Sequence, residues 1–255
     1  MGKGLENVRG IYLEGIAGGQ PREAVTRYTG HRYTQHSTGV GDGVEGFLAF
    51  FEPFLERNPK REIEIVRILE DGPWVFCSAF QSLNDGEAKW VTMDMFYTDS
   101  DGLILEHWDT IAAYVDDTVS GEDMVAGSVE IDPSADATLN KSIVLEYTKQ
   151  VVQGGRHDLL GRFVGEDIVQ RSATIGAGLG GLGDWLASDE SGDYEMLFNL
   201  IGQGDFVMTY GKRHVSGKDY AVFDLYRLRG GLIVEHWDNP EEILAREHWG
   251  NSGKF

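Results

Sequence analysis

Two short stretches hold residues whose types and spacing can do chemistry: GLILEHWDT (Gly102–Thr110) and GLIVEHWDN (Gly231–Asn239). Both contain a Glu-His-Trp-Asp run. On a strand, successive side chains face opposite sides. Leu105, His107 and Asp109 therefore share one face, and Glu106 and Trp108 share the other. The first face presents an imidazole and a carboxylate roughly 7 Å apart along the strand. If that face looks into an apolar enclosure, burial raises the carboxyl pKa and makes a base usable near neutrality. The same reasoning selects His236 and Asp238. Asp94, in VTMDMFY, shares a face with Thr92 and Phe96. An acid among Val, Met and Phe is costly unless paired, and a cross-strand histidine such as His107 is a suitable partner. Asp224 is its counterpart. The competing reading is that these groups satisfy local backbone atoms and Trp108 simply packs.

Other patterns carry less. GDGVEG (Gly41–Gly46) and GAGLGG (Gly176–Gly181) fit G-x-G-x-x-G. A dinucleotide site needs a strand before the glycines and a βαβ unit around them. Here a helix is expected to precede, and Asp42 and Glu45 stand where phosphate would sit. His36, His107 and Asp109 can be drawn as a metal triad, but their spacing is not diagnostic, and no metal is expected. Cys77 lies in an apolar strand, WVFCSAF, and reads as core.

The motif is doubled because a larger unit is doubled. Tyr28–Phe47 lies over Phe163–Leu182, with Gln35 on Gln170 and Ser37 on Ser172. At the same spacing Tyr12 falls on Tyr147 and Arg27 on Arg162. Fixed-period self-similarity of this kind marks a tandem architecture. The expected boundaries are a first copy over 1–115, an acidic linker over 116–139 and a second copy over 140–255. The segment between the copies has no Lys or Arg and is rich in Gly, Ser, Pro and Asp, which suits a linker. Within each copy the order is helices first and then hairpins. LENVRGIYLEGIAGGQ and NKSIVLEYTKQVVQGGR show helical spacing and end in Gly pairs. PREAVTRYTG, HDLLGRFVG and VEGFLAFFEPFLERNP read as further helices. Turns at Asp71-Gly72-Pro73 and Ser100-Asp101-Gly102 break the rest of the first copy into antiparallel strands. That order makes an α+β fold.

The chain has 255 residues and a formal net charge of −20. Such acidity argues against nucleic acid and anionic membrane as partners, since both need clustered Lys and Arg. No apolar run reaches the length needed to span a bilayer, no signal peptide is visible, and the single cysteine suits a reducing compartment. A cytoplasmic location is expected.

Two helices, then YTQHSTGVGDGVEGFLAFF, then DMFY and DGLILEHWD, resemble the SnoaL-like polyketide cyclase family of the nuclear transport factor 2-like fold. The resemblance spans essentially all of the first copy and is weaker in the loop of the second. It implies two tandem cone-shaped domains, each a curved antiparallel sheet with packed helices, forming an internal pseudo-dimer and leaving a further homodimer open. It implies chemistry without metal or organic cofactor, in which a carboxylate helped by a histidine moves a proton on carbon next to a carbonyl. The expected ligand is a small hydrophobic carbonyl compound, and the expected reaction a cyclisation or isomerisation. A non-catalytic binding module and water activation on an epoxide remain alternatives. The expected site is Asp109, His107, His36 and Asp94, with Asp238, His236, Asp224 and Arg171 in the second copy. The family places a residue at the pocket mouth where His36 stands, and Phe47, Phe50, Phe51, Trp74 and Phe96 are expected to line the pocket. Arg171 replaces His36, Ala177 replaces Asp42 and Gly180 replaces Glu45. An arginine near the second pair of acids would lower their pKa values, so the first copy is expected to be the stronger catalyst.

Overall fold

The computed structural model describes residues 2–255. The chain divides into two compact units, one made of Met1–Ala113 with Leu244–Phe255, the other of Tyr114–Ile243. In the first unit α1 (Lys3–Gly10) runs on as a wider π-type segment, Ile11–Ala17, followed by α2 (Pro21–Tyr28). Pro21 begins α2, where its missing N–H costs nothing. Then come β1 (Thr29–Gln35), α3 (Gly43–Arg57), β2 (Arg61–Asp71), β3 (Trp74–Leu83), β4 (Ala88–Thr98) and β5 (Ile104–Ala113).

The five strands form one sheet in the order β1-β5-β4-β3-β2. Only the β1–β5 pair is parallel, and the remaining pairs are antiparallel hairpins. The β4–β5 turn depends on Gly102. Its φ is +82°, and a Cβ there would lie 2.7 Å from the Gly4 amide nitrogen, so no other residue fits without a shift. The helices bury Val8, Ile11, Tyr12, Ile16, Val25, Phe47 and Leu48 against Val75, Cys77 and Phe96 of the sheet. The burial of Cys77 raises its thiol pKa well above the ordinary value, in keeping with a core role.

The second unit repeats this plan. α4 (Ala137–Tyr147) continues as a π-type segment, Thr148–Val152, and is followed by α5 (Leu160–Phe163), β6 (Val164–Gln170), α6 (Gly178–Leu186), β7 (Asp193–Gln203), β8 (Phe206–Val215), β9 (Lys218–Arg229) and β10 (Leu232–Glu242). Its sheet runs β6-β10-β9-β8-β7, with β6 parallel to β10. The architecture is α+β with two five-stranded sheets and packed helices.

Three features differ from the sequence reading. First, a strand and not a helix precedes each glycine loop: β1 before Gly41–Gly46 and β6 before Gly176–Gly181. Neither is part of a βαβ unit, because β2 lies at the far edge of the sheet from β1. The glycines serve close packing, since a Cβ on Gly46 would lie 2.1 Å from the Gly41 carbonyl oxygen. Second, residues 116–139 group with the second unit. Their polar groups find partners there: Ser120 Oγ donates to the Gln170 carbonyl (2.6 Å) and the Asp132 amide donates to Asp205 Oδ1 (2.8 Å). Third, residues 244–255, expected in the second copy, belong to the first unit. The Gly250 amide donates to the Thr38 carbonyl (2.8 Å), and Asn251 Nδ2 donates to the carbonyls of Ser37 (2.5 Å) and Val40 (2.8 Å).

Candidate active site

In the first unit, β4 and β5 pair so that Asp94 stands opposite Asp109 and Phe96 opposite His107. Strand alternation then puts Asp94, His107 and Asp109 on one face, where they line a cavity of about 390 Å³. Phe47, Phe50, Phe51 and Phe54 of α3 form an aromatic wall, and Tyr12, Tyr33 and Gln35 line the same cavity. His107 is held from both sides. Its Nε2 donates to Asp94 Oδ1 (2.8 Å), and its Nδ1 meets the Gln35 side-chain amide, 2.8 Å away, which can present its NH2 group to an unprotonated ring nitrogen. Gln35 is itself fixed at the end of β1, where its backbone N–H donates to Asp42 Oδ1 (2.8 Å).

The two carboxylates are set apart electrostatically. Burial raises the Asp94 carboxyl, and the hydrogen bond and charge of His107 oppose that only in part. Asp94 Oδ1 accepts a hydrogen bond from the imidazole, while Oδ2 is buried with no hydrogen-bond partner within 3.5 Å among the described residues, although the Tyr12 hydroxyl is near enough to lower the carboxyl slightly. Asp109 moves the other way. Burial alone would raise it, but the Lys254 ammonium, then His107 and Ser37, hold it below the usual carboxylate range. Lys254 is 1% exposed. Its Nζ donates to Asp109 Oδ1 (2.9 Å) and to the Asp109 carbonyl (2.8 Å). Two acids in one cavity with pKa values driven apart is an arrangement suited to divided roles. Burial also raises the Tyr12 and Tyr33 phenols far above their ordinary value, so both remain neutral donors.

His36 and Trp74, expected at the pocket, lie elsewhere. His36 follows Gln35 on β1 and so faces the other side. It stacks on Trp108 with ring centroids 4.4 Å apart. Its Nδ1 donates to the Gly253 carbonyl (2.9 Å) and its Nε2 lies 3.3 Å from Glu106. It clamps the returning segment instead of meeting a ligand. Trp74 packs on Tyr97 and Trp108, outside the cavity. The donor atoms of Asp94, His107 and Asp109 lie within 4.8 Å of one another, the one buried cluster with the chemistry to hold a metal ion among the described residues. Each already has a protein partner, so a cation would have to displace the His107–Asp94 bond and compete with Lys254.

The second unit keeps the inner half of this design. His236 Nε2 donates to Asp224 Oδ1 (3.1 Å) and its Nδ1 lies 2.8 Å from Gln170 Oε1. Asp224 and His236 line a cavity of about 260 Å³, whereas Asp238, opposite Asp224 in the β9–β10 register, is buried and does not line it. Arg171 faces away from these acids. Its Nε donates to Glu235 Oε1 (2.8 Å), and its Nη1 meets Glu122 (3.3 Å) and the Asp123 carbonyl (3.1 Å). The expected lowering of the second pair by Arg171 is therefore overturned: burial, opposed in part by His236, raises Asp238. The cation that acts on Asp238 is Arg213, and it does not overcome burial; of the two acids only Asp109, beside Lys254, is brought below the usual carboxylate range.

No family model matches the chain, and no curated protein matches it. Solved structures are similar to it. These include a candidate polyketide cyclase of Bacillus cereus ATCC 10987 (18% identity, covering 43% of this chain and 74% of that one, TM-score 0.38). A candidate SnoaL-like polyketide cyclase of Jannaschia sp. CCS1 is 19% identical, covering 43% and 85%, with a TM-score of 0.36. A nuclear transport factor 2-like protein of unknown function from Cytophaga hutchinsonii ATCC 33406 is 15% identical, covering 45% and 95%, with a TM-score of 0.36.

Sequence reasoning missed Gln35, Tyr12 and Lys254. Gln35 and Tyr12 appear as matches between the copies, so the repeat itself held that signal. Lys254 has no counterpart in the repeat and nothing in its surroundings marks it.

Proposed function

We propose that the first unit is a cofactor-independent acid–base catalyst that moves a proton on carbon beside the carbonyl of a small hydrophobic molecule, as in an aldol-type cyclisation or a double-bond isomerisation. One observation carries this reading: Asp94 Oδ2 is buried and without a partner, on a carboxyl that lines the cavity and that burial has raised. A base works best with a pKa near the working pH. Asp94 takes the proton from carbon, the electron pair moves onto the carbonyl oxygen, and the neutral hydroxyls of Tyr12 and Tyr33, which line the same cavity, donate to that oxyanion. The enolate then attacks a second carbonyl within the molecule, whose π electrons pass to its oxygen, and that alkoxide takes the proton back from Asp94; in an isomerisation Asp94 returns the proton to another carbon. His107 and Gln35 position Asp94 through the hydrogen bonds described above. Asp109 stays ionised on Lys254 and acts as a charge partner, so the base is Asp94 and not Asp109.

The test is hydrogen–deuterium exchange at the α-carbon of an apolar ketone such as 2-tetralone in D₂O, followed by NMR. Wild-type protein should accelerate exchange, and Asp94→Asn should lose about 10²–10⁴-fold of that acceleration. Equal exchange by a folded Asp94→Asn variant would remove the proposal. Incorporation of ¹⁸O from water into an epoxide, without ketone exchange, would favour water activation instead.

A further inference from the structure

The second unit's cavity differs from the first in one side chain that the reading above does not use. Arg213 lines it and is 8% exposed. Its guanidinium lies over the Trp185 ring, 5.1 Å from the centroid. Among the described residues it forms no ion pair, and its Nε is buried with no hydrogen-bond partner. Tyr194, its register partner on β7, lines the same cavity with a buried hydroxyl that is also without a partner. A guanidinium cannot shed its charge by losing a proton, and an unpaired buried charge is among the costliest groups a fold can carry. In the first unit the corresponding position on β3 is Gln81, a neutral side chain lining that cavity.

We propose that the second cavity is a binding site for a small monocarboxylate with a flat apolar body. The carboxylate would take two parallel hydrogen bonds from Arg213, whose fork matches its geometry, and a third from the Tyr194 hydroxyl. The body would lie among Tyr147, Leu182, Trp185 and Tyr226, which line the remainder of the space. One cation sets the ligand charge at minus one. Asp193 and Asp224 line the same cavity, so a dianion would leave one charge unpaired among carboxylates. The site is separate from the Asp94 cavity and stands or falls independently of the activity proposed there.

The probe is benzoate, with benzamide as its neutral isostere and phenyl phosphate as a dianion. Binding is followed by calorimetry and by the Arg213 Nε–H resonance of the whole chain. Benzoate should bind saturably and shift that resonance, benzamide should bind at least tenfold more weakly, and Arg213→Gln should weaken benzoate by at least tenfold, since a hydrogen bond to a charged group is worth that much or more. Without ligand, Arg213→Gln should melt no lower than wild type, because it removes an unpaired buried charge. The proposal fails if benzamide matches benzoate, if Arg213→Gln binds benzoate as wild type does, or if benzoate leaves the Arg213 resonance unmoved. Tighter binding of phenyl phosphate than of benzoate would overturn the assignment of a monocarboxylate. The resonance is read on wild-type protein, so the outcome does not depend on the variant folding.

Discussion

Replacing Lys254 by methionine removes an ammonium and keeps an apolar stem of similar length. Lys254 is 1% and Asp109 6% exposed, so neither charge is much shared with water. The Lys254 charge is the largest influence holding the Asp109 carboxyl down against its burial. In the wild type the folded carboxyl lies below its unfolded value near 4. Its contribution to stability is therefore present above that value and lost as pH falls through the folded value. In Lys254→Met burial becomes the dominant influence and the sign reverses: the folded carboxyl lies above its unfolded value, and stability is lost as pH rises past about 4. Removing one partner of a buried pair costs about 3–5 kcal/mol, whereas removing both can be near neutral. Urea denaturation of the wild type, Lys254→Met, Asp109→Asn and the double variant between pH 4 and 8 measures this directly. Lys254→Met should lose about 3–5 kcal/mol at pH 7, the deficit should shrink toward pH 4, and the double variant should lose less than the two single losses added together. A Lys254→Met variant as stable as wild type at pH 7, or strict additivity in the double, would refute the reasoning, because it would mean the two charges are solvated separately.

Asp238→Asn should behave in the opposite sense from Asp109→Asn. The folded Asp238 carboxyl is raised by burial, so its contribution is present at acid pH and lost as pH rises; the amide should gain on the wild type between pH 5 and pH 8 in denaturation midpoints. Arg171→His, which copies the first unit's residue, breaks the bond to Glu235 and the contact with the Asp123 carbonyl. It should cost about 1.5–3 kcal/mol at neutral pH. Because Arg171 and Arg227 hold Glu235 below its usual range against burial, that deficit should fade as pH drops below about 4, and urea midpoints at pH 3.5 and 7 would show it.

How far the sequence alone leads can be judged residue by residue. The facing of His107, Asp109 and Asp94 followed from strand alternation, because the period of two runs unbroken from Glu106 to Asp109; it fails at Leu105, expected on the same face, where the β4–β5 register skips a residue. The same rule places His36 outward, since it follows the inward Gln35; the error came from not recognising β1. TGHRYTQ holds few apolar residues, and its pairing is decided by β5, far along the chain, through a parallel register that no local pattern encodes. Lys254 was illegible for a different reason. Its importance lies in a contact with Asp109, 145 residues away, and a lone lysine in a polar stretch looks like any solvated surface charge. The same holds for Arg213, whose burial depends on Trp185 and Tyr194 from neighbouring elements.

The repeated Glu-His-Trp-Asp run now has a physical account with two faces. Inward, histidine bridges a glutamine and an aspartate in both units: Gln35–His107–Asp94 and Gln170–His236–Asp224. Outward, the glutamate is met by cationic or imidazole groups, Arg32 and His36 on Glu106, Arg171 and Arg227 on Glu235. His36 and Arg171 thus answer the same outward carboxylate, and their difference says little about the inner site. What separates the units is where each places a buried cation. In the first, Lys254 neutralises Asp109 and leaves Asp94 as the raised acid with an open oxygen. In the second, Arg213 lines the same cavity as Asp224 and acts on Asp238 through its charge without forming an ion pair with either, and its Nε has no hydrogen-bond partner among the described residues. The two proposals, a proton acceptor in one cavity and an anion site in the other, thus rest on one scaffold with the same inner triad and differ only in the placement of the buried cation.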